Sequence, residues 1–404
     1  MKHRWVVGCL LVALLLLLLT PGLLAEEKEI KIGCSVALTG ALASEGNAVK
    51  RGVELWADYV NNVLGGIKVG DELYRVKIIF YDDKSDPTTG AKLTEKLITE
   101  DKVNFIIGPY ASSITFATSA IGEKYGVITI APAANAPAIY ERGFKYIFSI
   151  LPPAPWLTHP VFEFADQLSP RPQRVAILSV NDLFPIACAD GAYKKAVEMG
   201  FDVVAYEKYP PGTTDVTPIL AVLKAQNPDM LIVSNYVKDA VMVVRQMREI
   251  DFNVKLLSFV IGVMFPEFIA TLGPDAEGVC EPEWWVPFIE YHDPIFGSTS
   301  AYVQMYKERY GHIPPYQAVV GSAAGVVLQL AIEKAGSLDT NAVREALLRL
   351  DIEELSVFPG IKFDETGRNI RAKHPVIQVQ QGEYKVVWPP LNPPIYPMPT
   401  WAER

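Results

Sequence analysis

Cysteine and histidine are scarce in this chain of 404 residues, with four of the first and five of the second. Beyond residue 25 the cysteines are Cys34, Cys188 and Cys280, odd in number and far apart, which is no disulfide framework. A Cys188–Cys280 bridge is the one pairing the sequence leaves open, and Cys34 reads as a small core residue. No spacing of Cys and His suits a metal, and none is expected. Positive charge is in deficit, 37 Lys and Arg against 46 Asp and Glu, for a net −9. Phosphate binding needs a basic footprint, so nucleic acid is excluded as a partner. Catalytic signatures are missing as well: no G-x-S-x-G elbow, Walker A loop or H-E-x-x-H. Gly321-Ser322-Ala323-Ala324-Gly325 fails as an elbow and reads as small residues allowing close helix packing. After the N-terminus no stretch is expected to span a membrane.

The N-terminus carries Lys2, His3 and Arg4, then an uncharged apolar run from Trp5 to Leu19 and a break at Thr20-Pro21-Gly22. Basic start, short apolar stretch and small residues before Ala25 read as a secretory signal cleaved near Ala25. The run is shorter than the roughly 18–20 residues a span requires. Val6-Val7-Gly8-Cys9 precedes the apolar run, so it is not a lipidation box. Removing Lys2 and Arg4 takes the net charge from −9 to −11. A protein of 50% apolar and 21% charged residues is globular, and this length suggests two domains.

From residue 28 short apolar runs alternate with helical periodicity. Strands are expected at Ile30–Ala37, Arg75–Tyr81, Phe105–Ile107 and Val127–Ile130, with helices at Asn47–Leu64, Asp86–Glu100 and Ser112–Lys124. After a proline-rich break at Leu151–Pro155 the rhythm resumes: strands at Arg174–Ser179, Val203–Tyr206, Met230–Val233 and Lys255–Phe259, helices at Ile186–Met199, Asp215–Ala225 and Lys238–Ile250. Three helices follow between Ser298 and Leu350, then β-like segments to Trp388. This alternation implies two α/β lobes, each a doubly wound parallel sheet covered on both faces. Tyr81–Asp86 lacks calcium-loop spacing and reads as a solvated loop with Asp86 capping the next helix. The histidines stand alone and mostly in loops. The proline-rich tail from Pro389 to Pro399 reads as a frayed terminus, with an extended strap across a lobe as the alternative.

Open parallel sheets bind ligands beyond the carboxyl ends of their strands. Three loops there are rich in small, hydroxyl and amide residues: 39–46 with Ser44 and Glu45, 108–113 with Ser112 and Ser113, and 131–137 with Ala133 and Asn135. Ser112-Ser113 opens a helix whose free N–H groups and dipole favour an anion, and N-capping is the plainer role for Ser112.

These loops carry a resemblance. Ile30-Lys31-Ile32-Gly33 through Thr39-Gly40, then Gly46, Gly52, Asn61 and Gly65-Gly66-Ile67 are similar to the first βα unit of ABC-importer substrate-binding proteins of the leucine/isoleucine/valine type. Tyr81-Asp82-Asp83 with Asp86-Pro87, Ile107-Gly108-Pro109 with Ser112-Ser113, and Ala131–Ala134 resemble the next three units. Arg174–Leu178 resembles the first strand of the second lobe. The resemblance covers nearly all of 28–388. It implies a type I periplasmic binding fold: two Rossmann-like lobes, 28–149 with 284–372 and 150–283 with 373–404, joined by three crossovers near Ile150, Glu283 and Lys373. Such a Venus-flytrap closes on a small ligand, amino acid-like or carboxylate, and is read by membrane permease subunits.

The same resemblance places Ser112, Ser113, Ala133 and Asn135 on the ligand carboxylate and Phe184 and Tyr236 on its body. Glu45 stands where the family brings an aromatic residue, and Ser44 beside it is a further ligand-binding candidate. The acid expected for an α-ammonium is missing from Val260-Ile261-Gly262-Val263. Either Glu45 supplies that charge, or the ligand has no ammonium and is an apolar or aromatic carboxylate, or an amide, the carboxylate being favoured; Trp284-Trp285 could add to that apolar body or merely pack a crossover. A secreted, periplasmic or extracellular binding component without catalysis or cofactor is the expectation. The rivals are a ligand-sensing domain of the same fold and a secreted α/β hydrolase.

Overall fold

The computed structural model describes residues 28–371 and 374–404. The N-terminal signal-like segment, Cys9 within it, and the crossover position Lys373 lie outside the described residues.

In β1 (Glu29–Val36), Ile30, Ile32, Cys34 and Val36 alternate and are all fully buried. Its other face is covered too, by the Leu97 side chain against Gly33, as a parallel strand between two helical layers requires. The first sheet also holds β2 (Ile67–Val69), β3 (Glu72–Asp82), β4 (Phe105–Ile107), β5 (Thr129–Ala131) and β6 (Ile147–Ser149), in the order β2-β3-β1-β4-β5-β6. Only the β2–β3 hairpin is antiparallel. The second sheet holds β7 (Arg174–Val180), β8 (Asp202–Tyr209), β9 (Met230–Ser234), β10 (Leu256–Phe259) and β11 (Cys280–Pro282). Its order runs from strand Glu383–Trp388 through Val376–Gln380 to β11-β10-β9-β7-β8. β1 has β3 on one side and β4 on the other, and β7 has β8 and β9. Each lobe therefore reverses its winding at its first strand, and a crevice opens there.

Several elements escaped the periodicity: the β2 edge strand, β6, β11 and the His159–Asp166 helix, all short. Others start earlier than expected. The Ala43–Tyr59 helix begins four residues before Asn47, with the Gly46 N–H donating to the Leu42 carbonyl at 2.9 Å. The Leu183–Glu198 helix begins at its cap, Asp182, whose carboxylate accepts from the Leu183 N–H at 2.7 Å. Polar cap residues carry no apolar period, so a pattern search enters a helix late.

The Tyr316–Ala335 helix corrects one expectation, since by length and composition it is apolar enough to cross a membrane. Here it is the core helix of the first lobe. Its small residues face the Ala43–Tyr59 helix: a Cβ on Gly52 would lie 1.8 Å from the Ala318 carbonyl, and one on Gly325 2.1 Å from Trp56. The Trp56 indole N–H donates to Gln329 Oε1 at 3.1 Å, so this buried donor stays paired within the close packing.

Cys34, Cys188 and Cys280 are buried free thiols, so the Cys188–Cys280 pairing is not made. Cys188 Sγ instead donates to the Ala154 carbonyl at 3.3 Å. Asp86 caps its helix through the Thr89 N–H at 2.7 Å, with Pro87 at the first position, while Asp82 holds the Leu38 and Thr39 amides. Among the described residues no His, Cys, Asp or Glu cluster suits a metal. The C-terminal tail is a strap rather than a frayed end. The Met398 N–H donates to the Lys255 carbonyl at 2.9 Å, Met398 is buried against Gly278, and the Trp401 indole donates to the Phe252 carbonyl at 2.9 Å. Trp284 and Trp285 are buried in the core, Trp285 donating to the Ser356 carbonyl at 3.2 Å.

Candidate functional site

The two crevices face each other. Segments that follow β4, β5, β7 and β9 converge on a tight inner cavity of about 10 Å³, room for one water-sized group, joined by the start of the core helix. Its wall is Tyr110, Ala111, Ser112, Ala133, Phe184, Tyr236 and Tyr316. The Phe184 and Tyr236 rings lie 6.1 Å apart at 35° and present apolar faces from the second lobe.

Ser112 is the first residue of the Ser112–Tyr125 helix, whose capping residue Ala111 offers no side-chain acceptor. Its Oγ accepts from the Ala136 N–H at 3.3 Å. The hydroxyl proton is left to donate into the cavity, beside the unpaired N–H groups of a helix start. An anionic group placed there meets a dipole and a hydroxyl donor together. Ser112 is therefore not the helix cap that the sequence allowed it to be.

Two carboxylates bridge the lobes. Asp182 Oδ2 accepts from the Tyr236 hydroxyl at 2.8 Å and, across the cleft, from the Ser113 hydroxyl at 3.3 Å. Glu45, in the first turn of its helix and fully buried, accepts from the Val237 N–H at 3.1 Å through Oε1. Val237 opens the Val237–Glu249 helix, so this carboxylate sits on a helix N-terminus of the opposite lobe. Glu45 Oε2 has no hydrogen-bond partner. Burial pushes the Glu45 carboxyl up to about 7, more than its backbone partners lower it, and Asp239 adds to the rise.

The loop after β10 contains no acid, but one lies beneath it. Glu281, on the adjacent strand β11, accepts from the Gly262 N–H at 3.0 Å and the Met264 N–H at 2.9 Å. Glu283 stands beside it, and burial raises both carboxyls above the usual range. The turn at Val260–Val263 is thus held from below by a carboxylate that its own sequence lacks.

Of the residues expected at the site, Ser112, Ala133, Phe184 and Tyr236 line the inner cavity. Ser113 lines a larger outer compartment together with Asp182. Ser44 is exposed in a separate groove with Asn47, Arg51 and His312. Asn135 turns away: its amide donates to the Pro152 carbonyl at 2.6 Å and ties a lobe crossover. Tyr110, Tyr316 and Asp182 were not foreseen. Asp182 carried a readable signal, an acidic helix cap directly after a parallel strand. Tyr316 had none, since only tertiary packing brings residue 316 beside residue 112.

The same architecture recurs in known proteins. A leucine-binding protein of Thermotoga maritima superposes with a TM-score of 0.77 at 25% identity, over 88% of this chain and 97% of that one. A solute-binding protein of an R. palustris ABC transporter, solved with benzoate, gives a TM-score of 0.76 at 18% identity over 93% and 98%. A Leu/Ile/Val-binding protein homologue of Brucella abortus (strain 2308) is 25% identical over 396 residues, 94% of this chain and 96% of that protein. Two facing α/β lobes, a cavity at their winding reversals and a periplasmic binding protein profile matching residues 29–383 agree, and the chain belongs to the periplasmic binding protein family.

Proposed function

We propose that this protein is the extracytoplasmic solute-binding component of an ABC importer. It closes two lobes, hinged near Ile150, Glu283 and Lys373, over a small carboxylate-bearing ligand and presents the closed form to membrane permease subunits. The carrying observation is the convergence of Ser112, Ala133, Phe184 and Tyr236, from two lobes, on one small cleft between them. Ser112 and the helix start above it receive the carboxylate, and the Phe184 and Tyr236 rings cover an apolar body. The leucine named for the Thermotoga maritima relative and the benzoate bound to the R. palustris protein both carry a carboxylate on an apolar body. A chain that begins with a secretory-type segment suits the periplasm or cell exterior. The role is capture and delivery, not catalysis.

Thermal denaturation against a library of amino acids, aromatic acids and amides tests the reading. A ligand at 100 times its dissociation constant adds about 2.7 kcal/mol of stability. Small-angle scattering with that ligand should show a smaller radius of gyration than without it. A library in which no carboxylate stabilises the protein counts against the reading.

A further inference from the structure

We propose that the ligand site continues outward past Tyr236 into a second compartment, which takes the apolar tail of an elongated, amphipathic carboxylate. This rests on the carboxylate-binding reading above and adds the class of ligand.

Tyr236 lines both spaces. On its inner side is the tight cavity of about 10 Å³ beside Ser112; on its outer side is a solvent-open compartment of about 540 Å³. Ser112 and Ser113, adjacent at one helix start, divide between them, Ser112 facing inward and Ser113 outward. The boundary is thin. It includes the Tyr236 ring and the Ser113–Asp182 hydrogen bond, which at 3.3 Å is long for a hydroxyl donating to a carboxylate oxygen.

The outer wall is apolar on both lobes. Leu42 contributes from the first lobe, and Val180, Pro211 and Met242 from the second. Asp182, Lys238, Asp239, Ser85, Thr213 and Thr214 also line it, so polar groups of both lobes border its apolar surface. Apolar surface with polar groups fixed around it is the lining of a small-molecule site. A head group held at Ser112 that is longer than the inner cavity has one continuous direction to extend, past Tyr236 and along Leu42 and Met242. Burying methylenes there removes apolar surface of both ligand and wall from water.

The test is a chain-length series by calorimetry, using n-alkanoates and 2-amino-n-alkanoates of four, six, eight and ten carbons. In whichever series binds, affinity should rise about fourfold per added methylene once the tail passes Tyr236. Met242→Lys should leave the shortest binders unchanged and abolish that rise; Thr214→Trp, at an exposed position on the same wall, should reduce it without touching the core. Short members that bind while longer ones gain nothing would overturn the outer subsite and leave the importer reading standing. Undiminished length dependence in both variants would overturn it equally. If no member of either series binds while an aromatic acid does, the outer subsite is overturned and the carboxylate reading stands; if no carboxylate of any kind binds, both fail.

Discussion

Glu45 of the first lobe accepts a hydrogen bond from the Val237 amide of the second at 3.1 Å, and no solvent reaches it. A carboxylate across the cleft, on the N-terminus of a helix, ties the lobes in their closed arrangement. The same burial penalises its charge.

Closure should therefore depend on pH through Glu45. Opening the lobes returns it to water, where a glutamate titrates near 4.3; in the closed form burial pushes it up to about 7. Closing thus takes up a proton between these values. Its contribution to closure is full below the lower value, falls as pH rises through that window, and stays lost above about 7. Lys238 opposes this shift and Asp239 reinforces it, while the Tyr110 and Tyr236 hydroxyls near Glu45 remain neutral throughout, their own values being raised. Scattering at pH 5 and pH 8 should show a more closed wild type at pH 5. Glu45→Gln, neutral at both, should show no such difference.

Ser112→Ala removes a hydroxyl donor aimed at the proposed carboxylate position. A hydrogen bond to a charged group contributes roughly 1.5–3 kcal/mol, so affinity should fall about 10- to 150-fold. Ser113→Ala, which faces the outer compartment, should cost much less for a short ligand. Equal losses in the two variants, measured by calorimetry, would contradict the assignment of the inner serine.

Asp182 caps a helix and accepts from Tyr236 and Ser113. Asp182→Ala removes the cap and strands the Tyr236 hydroxyl, and urea unfolding should report a loss of about 2–3 kcal/mol. Asp182→Asn keeps a capping oxygen, so its stability should stay within about 1 kcal/mol of wild type.

Gly52→Ala tests the helix contact in the first lobe. Alanine is the better helix former by about 1 kcal/mol. Its methyl carbon would nonetheless meet the Ala318 carbonyl at 1.8 Å, backbone that cannot swing aside. A net destabilisation of about 1–3 kcal/mol is expected in chemical denaturation; a stabilised variant would show that the two helices separate freely.

Much of the fold was legible because a parallel sheet is written in short buried runs. β4 was read at its full extent, and β1, β7, β9 and β10 to within one residue at either end. The first β-strands were also enough to locate the side on which the cavity lies, since loops after parallel strands face the crevice. Ser112, Ala133, Phe184 and Tyr236 all follow such strands, and all four line the cavity. β6 (Ile-Phe-Ser) and β11 (Cys-Glu-Pro) were not legible, because polar residues or proline interrupt them, whereas the equally short β4 (Phe-Ile-Ile) is apolar throughout.

Local pattern by itself determined the lobes, the alternation and the strand ends at which the cavity opens, because periodicity and turn chemistry act over a few neighbouring residues. Tertiary structure alone decided which side chains meet. Asn135 turned to the crossover carbonyl of Pro152, a partner 17 residues away. Tyr316 reached the cavity from a helix more than 200 positions after Ser112. Glu281 supplied a carboxylate beneath a loop that has none, and Glu45 found Val237 across 192 positions. Such contacts follow from how two sheets and their helices close on each other, and no window of sequence contains both partners.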